Sequence, residues 1–95
     1  MVKVRIPQPL QKYVDNQTEV FVDGKYVKEV LDMLIVNYPS LKEKIYDENG
    51  NLRRFINIYV NDEDIRFLSG ENTSVKEGDV ISIIPAIAGG ENVIR

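Results

Sequence analysis

The sequence predicts an α+β domain in which one amphipathic helix lies across a mixed sheet of about five strands. Three observations lead to this prediction. Apolar residues alternate near the N-terminus, a segment of helical period follows them, and the later apolar runs alternate again. A single helix between leading and trailing strands can bury its apolar stripe only by packing on one face of the sheet.

The leading strands lie in the first 22 residues. Val2, Val4 and Ile6 alternate with charged residues, which is the pattern of a strand with one buried face. Residues 18–22 form a second strand-like run that ends in a turn pair, Asp-Gly. A polar connection containing two prolines joins the runs, so we predict that they pair as a hairpin.

The helix is predicted over residues 27–38. Six residues recur at the spacing of one helix face: Val27, Val30, Leu31, Leu34, Ile35 and Tyr38. Pro39 sets the helix end, because a residue before proline disfavours helical dihedrals. Tyr26 is a poor N-cap, so the partner of the first turn stays open. A further short helical turn is expected over residues 40–45.

Three trailing strands complete the predicted sheet. Apolar alternation and turn residues set their bounds at residues 54–60, 65–67 and 80–84. The short middle run follows the turn-rich residues 61–64. The resulting order is strand, strand, helix, strand, short strand, strand, which is the β-grasp or ubiquitin-like arrangement.

Composition narrows the function classes. The 95 residues contain no cysteine and no histidine, which removes thiolate nucleophiles, the commonest general base and the commonest metal ligand. A net charge of −3, with lysines and arginines scattered among acidic residues, disfavours nucleic-acid binding. No apolar run approaches the ~18 residues of a membrane span, and the N-terminus lacks the apolar region of a secretory signal. We therefore expect a cytoplasmic protein of one domain.

Two acidic segments are interpreted as turns. Residues 47–51, DENGN, have the oxygen spacing of a calcium loop, but Leu52 stands where that loop needs glycine and Ile58 where it needs glutamate. Residues 61–64 could be imagined as paired carboxylates, but no His, Cys or glycine-rich loop accompanies them. We expect no metal site and no catalytic residue in this chain.

Two C-terminal segments resemble a known family. They are RFINIYVNDEDIRF, residues 54–67, and KEGDVISIIPAIAGG, residues 76–90. Both resemble the ubiquitin-like sulfur-carrier proteins, the group of the molybdopterin synthase small subunit and the thiamine sulfur carrier, and most of all the CysO-type carriers of cysteine biosynthesis. A Gly-Asp turn, an apolar strand, a proline and then a diglycine make the resemblance specific.

The resemblance implies three parts in the chain: a β-grasp domain at residues 1–84, a flexible diglycine tail at 85–90 and a removable extension at 91–95. The working group would be the carboxylate of Gly90, which an E1-like enzyme converts with ATP to an acyl-adenylate before a sulfur donor leaves a thiocarboxylate. No cofactor is expected on the chain itself. The residues that thread this carboxylate into the enzyme would be Pro85, Ala86, Ile87, Ala88 and Gly89.

Partner proteins follow from the same resemblance. It implies a PLP-dependent synthase or another acceptor that takes the sulfur, and a zinc metallopeptidase that trims the tail. The strand register adds a candidate contact surface. If the isoleucines of the last long strands face the helix, then Phe55, Tyr59 and Ile84 project from the opposite face, where grouped apolar side chains indicate a protein interface.

Three other functions stay open at this stage. The chain could be a ubiquitin-like modifier joined through Gly90 to target lysines, or a molybdopterin synthase small subunit. It could also be a plain interaction module with an inert tail. The sequence does not choose among the acceptor pathways for sulfur.

Overall fold

The computed structural model describes residues 1–86 and contains one five-stranded sheet. The strands are β1 Val2–Arg5, β2 Glu19–Val22, β3 Ile56–Val60, β4 Glu63–Asp64 and β5 Val80–Pro85. Their order across the sheet is β2-β1-β5-β3-β4. The central neighbours β1 and β5 are parallel, and the other neighbouring pairs are antiparallel. The predicted mixed sheet and the antiparallel leading pair are confirmed.

Three α-helices are found in the described residues. They are α1 Gln8–Gln11, α2 Val27–Asn37 and α3 Lys42–Ile45, with 3-10 turns at Pro39–Leu41, Ile65–Phe67 and Gly70–Asn72. The long helix α2 and the short helical segment after it are as predicted. The core lies between α2 and the sheet, where Leu31 and Leu34 form one buried cluster with Val4, Ile58 and Ile81.

A distant loop accepts the first N–H of α2. The N–H of Val27 donates to the carbonyl oxygen of Thr73 at 3.0 Å. The carboxylate of Glu29 accepts from the N–H of Lys25 at 2.8 Å, on the other side of the N-cap residue Tyr26. Thr73 therefore accepts one first-turn N–H that the tyrosine side chain cannot bind, and Glu29 fixes the residue just before the cap.

The prediction of a strand at residues 65–67 is wrong. These residues form a 3-10 turn, and the strand is the preceding pair Glu63–Asp64. Asn61 and Asp62 have φ values of 48° and 75°, so the chain reverses tightly and returns onto β3 at once. The Asp64 carboxylate then accepts the N–H of Arg66 at 2.8 Å, which ends the strand.

The polar connection after β1 also contains a helix that was not predicted. Pro7 is its N-cap residue and Pro9 lies in its first turn, where a missing N–H costs nothing. Leu10 is buried and fixes this short helix on the core. The sequence did not predict this helix, because the segment contains turn-forming residues and a single buried leucine cannot show a helical repeat.

Candidate functional site

The candidate site is the end of the sheet at which β5 leads out of the domain. Pro85 is the last residue of β5 and pairs with Ile56, so the strand runs one residue beyond its predicted end and includes the first predicted tail residue. The N–H of Ala86 donates to the carbonyl oxygen of Phe55 at 2.6 Å. The start of the predicted tail is thus fixed against β3.

The other predicted tail residues, Ile87, Ala88, Gly89 and Gly90, lie outside the described residues. The predicted extension at 91–95 also lies outside them. The structure describes the end of β5, from which the chain continues.

The outer patch is the group Phe55, Tyr59 and Ile84, and all three lie on the sheet face opposite α2. The inward residue Ile58 is 1% exposed, whereas Phe55 is 49% and Ile84 is 44% exposed, and Tyr59 is half-buried. The predicted register is therefore correct. The binding of a partner at this patch stays a prediction.

Backbone pairing brings the members of the outer patch together. Ile84 pairs with Asn57, which stands between Phe55 and Tyr59 on the same side of β3. Phe21 on β2 projects from the same face and is 55% exposed, but it lies across the sheet, beyond β1. Sequence reasoning missed Phe21, although its place between two buried valines indicates an outward side chain.

The basic rim is the group Lys44, Arg53 and Arg54, and it lies beside the outer patch. These side chains line an open cleft of about 480 Å³ together with Phe55, Ile56, Pro85, Ala86 and Asp47. The rim therefore surrounds the point at which β5 ends. Sequence reasoning missed the rim, because its three cations come from two separate segments. Each segment has acidic residues nearby, and the cations come together only in the folded domain.

The opposite end of the β3 and β5 pair contains a hydrogen-bonded clasp. The Nδ2 of Asn61 donates to Asp79 Oδ1 at 3.0 Å, and the N–H of Val80 donates to Asn61 Oδ1 at 3.0 Å. The N–H of Lys76 donates to Asp79 Oδ2 at 2.9 Å. The hydrogen bond from Asn61, followed by the one from the Lys76 backbone, lowers the pKa of Asp79 below its usual range.

The acidic segment 47–51 forms a turn, as interpreted from the sequence, whereas in 61–64 only Asn61 and Asp62 form the turn and Glu63–Asp64 are strand β4. Asp47 Oδ1 accepts the N–H groups of Asn49 and Asn51 at 2.9 and 3.0 Å. Asp64 is bound by the guanidinium of Arg66, whose side-chain hydrogen bonds are the main reason that the pKa of Asp64 is lowered. Within residues 1–86, no group of three or more acidic, His or Cys side chains is arranged to hold a metal ion.

The helices among residues 1–86 are all too short or too polar to cross a bilayer.

Comparison with known proteins agrees with this architecture. The sequence model of the ThiS family matches residues 4–90. The sulfur carrier protein CysO of Mycobacterium tuberculosis is 42% identical over 91 residues, which are 94% of this chain and 98% of that protein.

Solved structures extend the comparison to the fold. A chain in the crystal structure of the Amycolatopsis orientalis BexX/CysO complex superposes with a TM-score of 0.87 at 40% identity, covering 95% of this chain and all 100% of that one. The small archaeal modifier protein 1 of Methanosarcina acetivorans gives a TM-score of 0.85 at 34% identity, with 94% and 95% covered. The chain therefore belongs to the ThiS family and has the β-grasp fold of the ubiquitin-like sulfur carriers.

Proposed function

We propose that this chain carries sulfur as a thiocarboxylate on Gly90, formed after residues 91–95 have been removed, and donates it to the biosynthesis of cysteine or a related metabolite. The observation that supports this most directly is that the family match ends at residue 90, the second glycine of the pair. The extension thus lies outside the part shared with the family.

The chemistry needs a free carboxylate at Gly90 and no side chain. An E1-like enzyme would transfer AMP from ATP to that carboxylate, releasing pyrophosphate. A sulfide sulfur then attacks the acyl carbon, and AMP leaves, which gives the thiocarboxylate. In the uncut chain the carbon of Gly90 belongs to an amide, so there is no oxygen anion that could attack ATP.

The geometry of the domain suits a carrier whose tail enters another protein. The last described residues are fixed on β3, so the tail starts from a defined point beside the outer patch. The four residues from 87 to 90 span at most about 14 Å when extended. Glycine at the end removes the Cβ that would obstruct a narrow channel and attack at the carbonyl carbon.

The partners in this proposal are an E1-like adenylating enzyme, a sulfur acceptor such as a PLP-dependent synthase, and a zinc metallopeptidase that trims the tail. ATP is consumed by the activating enzyme and is not bound by this chain. A relative named as the sulfur carrier protein CysO, and a solved structure in which CysO is in a complex with BexX, support a role in which the carrier docks on another protein. We place this pathway in the cytoplasm.

Conjugation to proteins is the second candidate function. It is favoured by the likeness to the small archaeal modifier protein 1 of Methanosarcina acetivorans. In that case a target lysine, instead of sulfur, would attack the activated Gly90 and form an isopeptide bond. Both functions share the adenylation step and differ only in the nucleophile.

The test compares three proteins that end at Gly90, at Gly89 and at Arg95. Each is incubated with ATP, the E1-like enzyme and sulfide, and its intact mass is measured. We expect a gain of about 16 Da, the difference between sulfur and oxygen, only on the protein ending at Gly90. The Gly89 protein is the matched control, because its free glycine carboxylate is one residue, ~3.5 Å, too short to reach.

A gain of 16 Da on protein that keeps all five extra residues would overturn the proposal. Lysine adducts in place of the thiocarboxylate, found when the same reaction contains cell extract, would select the modifier function.

A further inference from the structure

The basic rim stands out because of the charge of the whole chain. The protein carries 15 acidic and 12 basic residues, a net charge of −3. Yet the cleft at the end of β5 is lined by three cations and by one carboxylate, that of Asp47. The surface at which the tail begins is therefore positive on a protein that is negative overall.

Contacts within the domain hold two members of the rim in place. The backbone N–H of Arg53 donates to the Ile45 carbonyl oxygen at 2.9 Å, and its Nε donates to the Glu43 carbonyl oxygen. The Nζ of Lys44 lies 5.4 Å from the centre of the Tyr13 ring. The remaining guanidinium N–H groups of Arg53 are therefore presented in a fixed direction, so less entropy is lost when they bind an anion.

The ion pairs within residues 1–86 do not include any residue of the basic rim. Lys3 pairs with Glu19, Lys28 with Asp32, Arg66 with Asp64 and Lys76 with Asp79.

None of the carboxylates in residues 1–86 lies within 4 Å of a rim nitrogen. Asp47 accepts two backbone N–H groups of its own turn and stays bound there. The positive field of the rim is thus not cancelled by a direct partner in the described domain.

The reach of the tail decides what the rim can touch. With Gly90 at a reacting centre and residues 87–90 extended in a narrow channel, about 14 Å of chain separates that centre from Ala86, which lines the same cleft as the rim. That separation puts the rim at the entrance of the channel and away from the phosphates of a bound nucleotide. The anions it meets are therefore side chains of the enzyme surface.

We infer that Lys44, Arg53 and Arg54 form a docking surface for aspartate and glutamate side chains around the channel entrance of the activating enzyme. This inference rests on the proposed function and adds the chemistry of the partner surface. The rim speeds capture and orients the domain, while the outer patch beside it supplies apolar contact.

The experiment reverses one charge on the rim and one elsewhere. Arg54→Glu is compared with Lys25→Glu, which makes the same change of charge in a cleft formed by the turn after β2 and by α2. Both are made in protein ending at Gly90, and kcat/KM for ATP–pyrophosphate exchange by the E1-like enzyme is measured at about 50 and 500 mM NaCl. Melting temperatures check that both variants fold.

At low salt we expect Arg54→Glu to lower kcat/KM about tenfold through KM, with kcat unchanged. At high salt the loss should shrink below about threefold, because the Debye length falls to roughly 4 Å. Lys25→Glu should stay within about twofold of the unaltered protein. Arg54→Gln, which only removes the charge, should lie between the two.

Equal effects of Arg54→Glu and Lys25→Glu, or a loss that salt does not relieve, would overturn the inference while leaving the carrier function intact. If the unaltered Gly90-ended protein supports no exchange at all, the proposed function itself is wrong and the inference falls with it.

Discussion

The two ends of the β3 and β5 pair have opposite characters. At one end, Asn61 and Asp79 satisfy each other and the backbone around them. At the other end, Phe55 and Ile84 remain exposed, and the cations of the rim have no carboxylate partner in the described residues. The same antiparallel ladder joins the two ends.

The difference shows how this small domain separates stability from binding. Polar groups whose hydrogen bonds are all made within the domain contribute to folding and leave no free donor or acceptor for a partner. Exposed apolar groups and unmatched charges contribute little to folding and are available for association. If this division is correct, changes at the two ends should affect different measurements.

The largest expected effect is on the chemistry at the exit end. Replacing Gly90 by valine in the protein that ends there keeps the free carboxylate but adds a branched side chain. Adenylation should fall at least ~100-fold, because the reacting carbon is displaced. The melting temperature should change by less than about 2 °C, since residues 1–86 are untouched. A large fall in melting temperature with adenylation intact would contradict the division.

Neighbouring isoleucines on β5 give a matched comparison of its two faces. Ile83 is 2% exposed and Ile84 is 44% exposed. Ile83→Ala should cost about 3–4 kcal/mol of unfolding free energy, whereas Ile84→Ala should cost under about 1 kcal/mol. Urea unfolding of both variants decides the matter, and similar losses would show that the assigned faces are wrong.

The outer patch should respond in affinity more than in stability. Phe55→Ala or Tyr59→Ala should weaken binding to the activating enzyme by about 2 kcal/mol, as is typical of aromatic side chains at the centre of an interface. Calorimetric titration and thermal melts are run side by side. Core-like losses of about 3–5 kcal/mol in stability would instead mean that these rings support the fold.

At the clasp, two substitutions of Asn61 distinguish the stability contributed by its hydrogen bonds from the stability contributed by its backbone conformation. Its φ is 48°, which glycine tolerates and alanine does not. Asn61→Gly should cost about 1–2 kcal/mol of unfolding free energy for the lost hydrogen bonds, and Asn61→Ala roughly 1 kcal/mol more for strain. Sulfur loading should be unchanged in both variants. Equal stabilities would argue against backbone strain at this turn.

The smallest expected effect is on pH dependence. Because the pKa of Asp79 is lowered in the folded state, its contribution to stability is complete above the unfolded value of 3.8 and is lost as pH falls through the folded value. Below about pH 4, Asp79→Asn should therefore lose less stability than the unaltered protein does. Urea unfolding at pH 6 and pH 3 measures the loss of unfolding free energy for both proteins. Equal losses would show that Asp79 does not cause the pH dependence of stability.

Periodicity in the sequence was sufficient for the long elements. The apolar residues that recur over 27–38 and the alternation in β3 and β5 report which side of each element is buried, and burial is a local property of the pattern. The faces of Phe55 and Ile84 follow from the same alternation. The diglycine and its family resemblance were also readable without coordinates, since they are properties of the chain order.

Short elements depended on contacts that no local pattern encodes. The strand at Glu63–Asp64 exists because a reversal at Asn61 and Asp62 places it against β3, and the first N–H of α2 is bound by Thr73 from a distant loop. A two-residue strand has no period to detect. It is recognised only by its pairing with Tyr59 and Val60, just across the turn.

The basic rim was likewise decided by the tertiary structure. Lys44 and Arg53 lie nine positions apart in the sequence, among acidic residues that suggest an ordinary mixed surface. The N–H of Arg53 reaches the carbonyl oxygen of Ile45 and brings the arginines back beside α3, at the point where β5 ends. The sequence by itself determined the sheet, the long helix and the diglycine near the C-terminus. Only folding decided which charges line the cleft at the end of β5, because charges interact through space and not along the chain.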